Sequence, residues 1–110
     1  MSVAAGVITV VVARRAELAD PGAMLARHVA GHDIVLANTG DALVALAAHC
    51  THACGPLAEG AVTPRGLSCP WHWATFDPHS GAVTRGPARK PLATFAVVVD
   101  GDDVLVVVPT

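Results

Sequence analysis

The chain has 110 residues, which is the size of one domain and leaves little room for a second core. Hydrophobic residues make up 53% of it and charged residues 15%, a balance that excludes a disordered or polyionic chain. The net charge is −2, from 7 basic and 9 acidic residues, so nucleic acid is not an expected partner. Much of the apolar content is valine in runs, which favours strands over helices.

Six apolar segments are predicted strands, and turn signals separate them. In chain order they are residues 6–12, 25–30, 33–37, 42–48, 94–99 and 104–108. Residues 25–30 would also fit a helical turn, although a strand is favoured. The segment Asp20-Pro21-Gly22 is a turn signal, and the polar, Gly-containing segments 38–41 and 100–103 each predict a hairpin. This pattern predicts an all-β scaffold.

Nothing in the sequence predicts a membrane span or an exported protein. The longest stretch without charge, residues 42–58, is interrupted by two His, two Cys, Gly and Pro. No Lys or Arg precedes Arg14, so the N-terminus does not have the pattern of a signal peptide. The expected location is therefore the cytoplasm, where thiols stay reduced. Three cysteines in that compartment indicate metal binding rather than a disulfide framework.

Residues 49–91 differ in composition from the predicted strands of the scaffold. They contain all three Cys, four of the six His and both Trp. This insert contains two short motifs, Cys50-Thr51-His52 and Cys69-Pro70-Trp71-His72. Each motif is short enough for one loop to present both side chains to a single site, and a predicted hairpin at 61–68 would bring the two loops together. Two thiolates and two imidazoles suit Zn²⁺, or an iron–sulfur cluster in which two His replace two Cys on one iron.

The order of the ligands bears on the choice between these metals. Zinc fingers of the Cys₂His₂ kind place both Cys together and both His together. Here each loop supplies one of each, which favours a two-iron cluster with Cys50 and Cys69 on one iron and His52 and His72 on the other. A Cys₂His₂ zinc-stabilised binding module is the alternative from another class of function.

The two motifs resemble the ligand boxes of the Rieske family. Phe76-Asp77 follows the second box at the family's usual offset, and Gly81 and Gly86-Pro87-Ala88 extend the resemblance. The family's third loop, which packs beside the cluster, corresponds to this Gly-Pro-Ala segment. The resemblance spans roughly residues 33–108.

This resemblance implies a fold and a cofactor. The fold is all-β and Rieske-type, an antiparallel sandwich or barrel scaffold with a small, loop-rich subdomain at about residues 49–91 that binds the cluster. The whole chain, 1–110, is then a single Rieske domain. The cofactor is one [2Fe–2S] cluster, and its implied ligands are Cys50, His52, Cys69 and His72.

The resemblance also implies an electron-transfer component that is not itself an enzyme. Only 38 residues follow His72, too few for the mononuclear iron domain of a ring-hydroxylating oxygenase. The implied role is that of a soluble ferredoxin, which passes single electrons from an NAD(P)H-dependent flavin reductase to a terminal oxygenase. The small Rieske subunit of an assimilatory nitrite reductase is the alternative. No membrane or nucleic acid is implied as a partner.

Several positions depart from the family pattern. Trp71 stands where the quinol-oxidising members have a disulfide Cys, so Cys54 is expected to be a bystander. The high-potential members have Ser and Tyr hydroxyls where this chain has Ala74 and Phe76, which implies a low reduction potential. Trp73 follows the second ligand His, where many soluble members have Gly or Gln. The two indoles either pack over the loop or form an apolar collar around that His.

Overall fold

The computed structural model describes residues 2–4, 6–51, 55–71 and 73–110, with side chains from residue 6 onward. His52, Cys54 and His72 lie outside the described residues. The described part is all-β: antiparallel strands, with two short 3-10 turns at Arg15–Leu18 and Leu57–Glu59. None of its helical segments is long and apolar enough to cross a membrane.

Seven of the strands form one curled antiparallel sheet. They are β1 (Ser2–Ala4), β2 (Val7–Arg14), β3 (Met24–Val29), β4 (His32–Asn38), β5 (Leu43–Ala47), β10 (Thr94–Asp100) and β11 (Asp103–Pro109). Their spatial order is β1-β2-β11-β10-β5-β4-β3. Across the gap between β2 and β3, the Nε of Arg27 donates to the carbonyl of Val12 at 2.9 Å. This contact links the two strands, so the sheet curls toward a barrel.

A smaller four-stranded sheet is built from the insert. Its strands are β6 (Ala61–Thr63), β7 (Gly66–Ser68), β8 (Thr75–Phe76) and β9 (Val83–Arg85), and they pair in chain order. Gly66 opens β7 at φ +130°, and a Cβ there would lie 2.0 Å from the carbonyl oxygen of Phe76. Glycine is therefore needed where β7 approaches β8.

Burial along the strands explains how the two sheets pack. On β11, the buried residues Val104, Val106 and Val108 alternate with half-buried ones, as expected for a strand with one face on a core. By contrast, residues 34–37 of β4 and 44–46 of β5 are buried without a break. Both faces of β4 and β5 are covered, because one faces the interior of the curled sheet and the other faces the small sheet.

The structure confirms the predicted all-β class and all six predicted strands, which appear as β2, β3, β4, β5, β10 and β11. It also confirms the hairpin at 61–68, which appears as β6 and β7. Strands β1, β8 and β9 were not predicted, because two or three residues are too few to show a periodic pattern. The extent of the domain, residues 1–110, and of its cluster-binding subdomain stay predictions.

Candidate metal centre

Two loops leave the ends of strands and are closed in the same way. In the first, which follows β5, the amide of Cys50 donates to the carbonyl of Gly55 at 2.9 Å. In the second, which joins β7 to β8, the amide of Cys69 donates to the carbonyl of Ala74 at 2.7 Å. Each hydrogen bond runs from a Cys to the residue five positions later. Each cysteine therefore stands at the base of a loop that a backbone hydrogen bond closes.

The two cysteine side chains are buried together. Cys50 is 1% exposed and Cys69 is 0% exposed, and both belong to the apolar cluster between the large and small sheets. Burial raises the pKa of the Cys69 thiol. The amide of Trp71, 3.4 Å from the Cys69 sulfur, lowers this pKa, whereas the adjacent Cys50 thiol raises it again. A cation bound between the two sulfurs would favour their thiolate forms.

Gly55 allows the close approach of the two loops. A Cβ at this position would lie 2.5 Å from the Cys69 sulfur and 3.3 Å from the ring of Trp71. Any side chain would therefore collide with the second loop. Gly55 was not predicted to be part of the site, because the one local signal in the sequence is its place between Cys54 and Pro56.

A third segment, residues 86–92, packs beside the two loops. The hydroxyl of Thr51 donates to the carbonyl of Lys90 at 2.6 Å, which ties this segment to the first loop. Ala88 and Leu92 are buried in the same apolar cluster as the two cysteines. The packing of Ala88 agrees with the position that the resemblance implied for the Gly86-Pro87-Ala88 loop.

The two tryptophans of the second loop are largely exposed. Trp71 is 49% exposed and Trp73 is 57% exposed, although both side chains are large and apolar. Trp73 has φ +62°, the left-handed region that bulky residues rarely occupy. Its carbonyl accepts a hydrogen bond from the hydroxyl of the buried Thr75 at 3.1 Å. The Thr75 hydroxyl is thus engaged by the backbone of the second loop.

These observations define a class of protein. The sequence predicted that Cys50 and Cys69 share a site, and the described residues bring their side chains together; His52 and His72 lie outside those residues. No group of three or more His, Cys, Asp or Glu suited to a metal occurs within residues 6–51, 55–71 and 73–110. Two buried sulfurs that lie next to each other, on loops closed by backbone hydrogen bonds, fit a metal centre with thiolate ligands. The molecule is an all-β protein of the class that carries such a centre between loops.

Comparisons with known proteins narrow this class. Residues 8–96 match the family of Rieske [2Fe-2S] domains. The ferredoxin component of biphenyl 2,3-dioxygenase from Rhodococcus jostii is 38% identical over 86 residues, which cover 78% of this chain and 80% of the relative. The ferredoxin of carbazole 1,9a-dioxygenase from Nocardioides aromaticivorans is 34% identical, with a TM-score of 0.84 over 93% of this chain and 98% of that structure.

A further solved structure contains a ferredoxin together with another protein. It is a complex of reduced oxygenase and oxidised ferredoxin in carbazole 1,9a-dioxygenase, and the matched chain is 26% identical with a TM-score of 0.81. The match covers 88% of this chain and 99% of that one.

The chain belongs to the Rieske [2Fe-2S] domain family. Its cofactor is a [2Fe–2S] cluster, so the family assignment favours iron over the zinc alternative. Within the family it is a ferredoxin-type electron carrier, as the relatives of more than 30% identity indicate. These relatives favour a ferredoxin over the nitrite reductase subunit.

Proposed function

We propose that this protein is the cytoplasmic ferredoxin of an oxygenase system. It receives single electrons from an NAD(P)H-dependent flavin reductase and passes them to a terminal oxygenase, and it catalyses no reaction of its own. The observation that carries this proposal is the pair of loops that hold the buried sulfurs of Cys50 and Cys69 next to each other. Such a site needs little rearrangement when its charge changes.

The proposed ligands are Cys50 and Cys69 for one iron and His52 and His72 for the other. When bound, the cluster supplies a centre that accepts and releases one electron at a time. The arrangement of the cysteines supports this assignment, because each sulfur comes from a loop in which the amide of the Cys donates a hydrogen bond to the carbonyl five residues later. The alternation of Cys and His along the chain supports it as well.

The residues around the sulfurs tune the site. The amide of Trp71 points at the Cys69 sulfur and stabilises negative charge there. The surrounding apolar cluster, which includes Ala74 and Phe76, keeps water away from the sulfur side of the site. Burial among apolar side chains makes added negative charge costly. The protein is therefore suited to a low reduction potential, which matches electrons that come from a flavin.

The partners in this proposal follow from the relatives. The R. jostii relative is named as the ferredoxin component of a dioxygenase, and one solved structure is of a ferredoxin in complex with an oxygenase.

Reconstituted electron flow tests the proposed function. The holoprotein would be mixed with NADH, a flavin-dependent ferredoxin reductase and the oxygenase of the Nocardioides carbazole 1,9a-dioxygenase. We expect carbazole-dependent oxygen uptake that requires this protein and is lost in the variants C50S and C69S, because iron–sulfur ligation needs thiolate. The matched control is C54S, which should retain both the visible spectrum and the activity. Full activity of C50S or C69S would contradict the assignment.

A further inference from the structure

The second loop presents two large apolar side chains to solvent. Trp71 and Trp73 are about half exposed, and they are the two residues on either side of the proposed ligand His72. A partner that comes close enough to His72 for electron transfer must therefore meet at least one of them. Large exposed aromatic side chains are the residue type that most often dominates the binding energy of protein interfaces.

The conformation of Trp73 indicates that the indole itself is needed. Its φ of +62° is a conformation that glycine adopts without strain and that a bulky L residue adopts at a cost. The side chain is 57% exposed, so it gains little from packing inside the molecule. A residue that strains the backbone and contributes little to the core is best explained by a role at the surface.

Three basic residues lie around the same loops. Arg85 pairs with Thr75 across β8 and β9, two residues beyond Trp73. The backbone of Lys90 is held by the Thr51 hydroxyl, and Arg89 precedes it. All three basic residues are exposed. Four of the seven basic residues but only two of the nine acidic ones lie within 49–91, so this part of an acidic protein is positively charged.

We propose that Trp71, Trp73, Arg85, Arg89 and Lys90 form a docking face for the terminal oxygenase, and we call these five residues the Trp–basic face. The matching surface on the oxygenase is an apolar depression bordered by carboxylates. The inference rests on the proposed function, since it names the surface through which that function operates. The oxygenase is chosen over the reductase because a ferredoxin similar to this chain forms a complex with an oxygenase.

The apolar part of the face is tested by stopped-flow mixing. Dithionite-reduced protein would be mixed with the oxidised oxygenase of the Nocardioides carbazole system, and the second-order rate constant of ferredoxin oxidation would be measured. We expect a decrease of about tenfold for W73G and for W71A, as for an interface hot spot. The matched control is V98A, which removes an apolar side chain that is 45% exposed on β10 and should leave the rate unchanged.

Two further readouts separate docking from damage to the site. Visible absorption and reduction potential should be the same in W73G and wild type, since Gly fits the backbone at position 73. The rate of reduction by the flavin reductase should change by less than the rate of oxidation by the oxygenase. A larger effect on the reductase step would overturn the choice of partner, and unchanged rates in both Trp variants would overturn the face itself.

The basic part of the face is tested by salt dependence. The wild-type rate should fall as salt is added, and the triple variant R85Q/R89Q/K90Q should show a lower rate at low salt with a flatter dependence. R65Q, in the turn between β6 and β7, removes one charge outside the face and should keep the wild-type dependence. A triple variant with the wild-type salt dependence would overturn the charge complementarity. Wild-type protein that does not react with the oxygenase at all would instead contradict the proposed function.

Discussion

The absence of a side chain at Gly55 governs how closely the two loops meet. In G55A the new methyl group would lie 2.5 Å from the Cys69 sulfur, which is too close for any real contact, so the sulfur must move. We expect less than one cluster per chain and a weaker visible spectrum, measured as iron content and absorbance of the purified protein. G86A, where a Cβ would meet nothing within 4 Å, should bind iron as the wild type does. Equal iron content in G55A would show that the site tolerates a displaced sulfur.

The reduction potential is also set at the residue scale. Ala74 and Phe76 are fully buried in the same apolar cluster as the two cysteines, and neither carries a hydroxyl. We expect a potential near the negative end of the range of about −150 to +300 mV that Rieske centres span. The double variant A74S/F76Y should raise it by about 40 mV for each hydrogen bond that stabilises the reduced cluster by about 1 kcal/mol more than the oxidised cluster, because about 59 mV corresponds to a tenfold change.

Voltammetry of wild type and double variant measures this shift. The single variants A74S and F76Y apportion it between the two positions. A strongly positive wild-type potential would contradict the argument, as would an unshifted potential in a double variant whose cluster spectrum is intact.

Trp73 affects stability as well as docking. Because its left-handed conformation is unfavourable for a side chain, W73G should raise the free energy of unfolding by about 1 kcal/mol. Thermal unfolding of the holoprotein measures the change. Ala30, at φ +49° and exposed between β3 and β4, offers a comparison away from the loops, and A30G should change stability in the same direction. A clear loss of stability in W73G would mean that the indole packs more than its exposure indicates.

At the scale of elements, the turn between β8 and β9 positions the strands of the small sheet. The carboxylate of Asp77 accepts hydrogen bonds from the amides of His79 and Ser80 at 2.8 and 2.9 Å. These bonds hold the pKa of the Asp77 carboxyl below its usual value, the Ser80 amide having the larger effect. The stabilisation is therefore present above the pKa of the unfolded chain and is lost as pH falls through the lower pKa of the folded state.

The variant D77N keeps an acceptor oxygen but cannot titrate. We expect wild type to be more stable than D77N at neutral pH by about 1 kcal/mol, because bonds to a charged acceptor are stronger but solvent screens this exposed site. The difference should shrink as pH falls below about 4. Unfolding midpoints of both proteins between neutral pH and pH 3 measure it. A difference that stays constant with pH would assign the stabilisation to geometry rather than charge.

The elements also explain which parts of the fold the sequence could predict. Strand β11 was predictable because it contains a run of valines. The hairpin at 38–41 was predictable from its polar, Gly-containing sequence, and the structure places Gly40 there at φ +100°. Strands β8 and β9 were not predictable, because a segment of two or three residues is too short to show the alternation of apolar and polar side chains that marks a strand. The proximity of Cys50 and Cys69 was predictable from their motifs, and their role as ligands stays a prediction. The importance of Gly55 was not predictable, because it depends on a contact between two loops that no local sequence pattern shows.

At the scale of the whole molecule, the two apolar cores have different roles. Among the described residues, the core inside the curled sheet is formed by aliphatic side chains and Phe95, whereas the core between the two sheets also contains Cys50 and Cys69. Strands β4 and β5 contribute residues to both cores, so the proposed metal centre packs directly against the large sheet. An electron carrier benefits from this arrangement, because a site that keeps its geometry in both redox states exchanges electrons with little rearrangement.

We propose above all that one [2Fe–2S] cluster is bound by Cys50, His52, Cys69 and His72. Pulsed EPR of the dithionite-reduced protein, prepared with ¹⁵N-labelled histidine, tests it most directly, because nitrogen bound to iron couples to the unpaired electron. We predict couplings from two histidine nitrogens, one of which disappears when His52 or His72 alone is replaced by Cys in a protein that still binds its cluster. A reduced protein without histidine nitrogen coupling, or one without any iron–sulfur signal, would contradict the account.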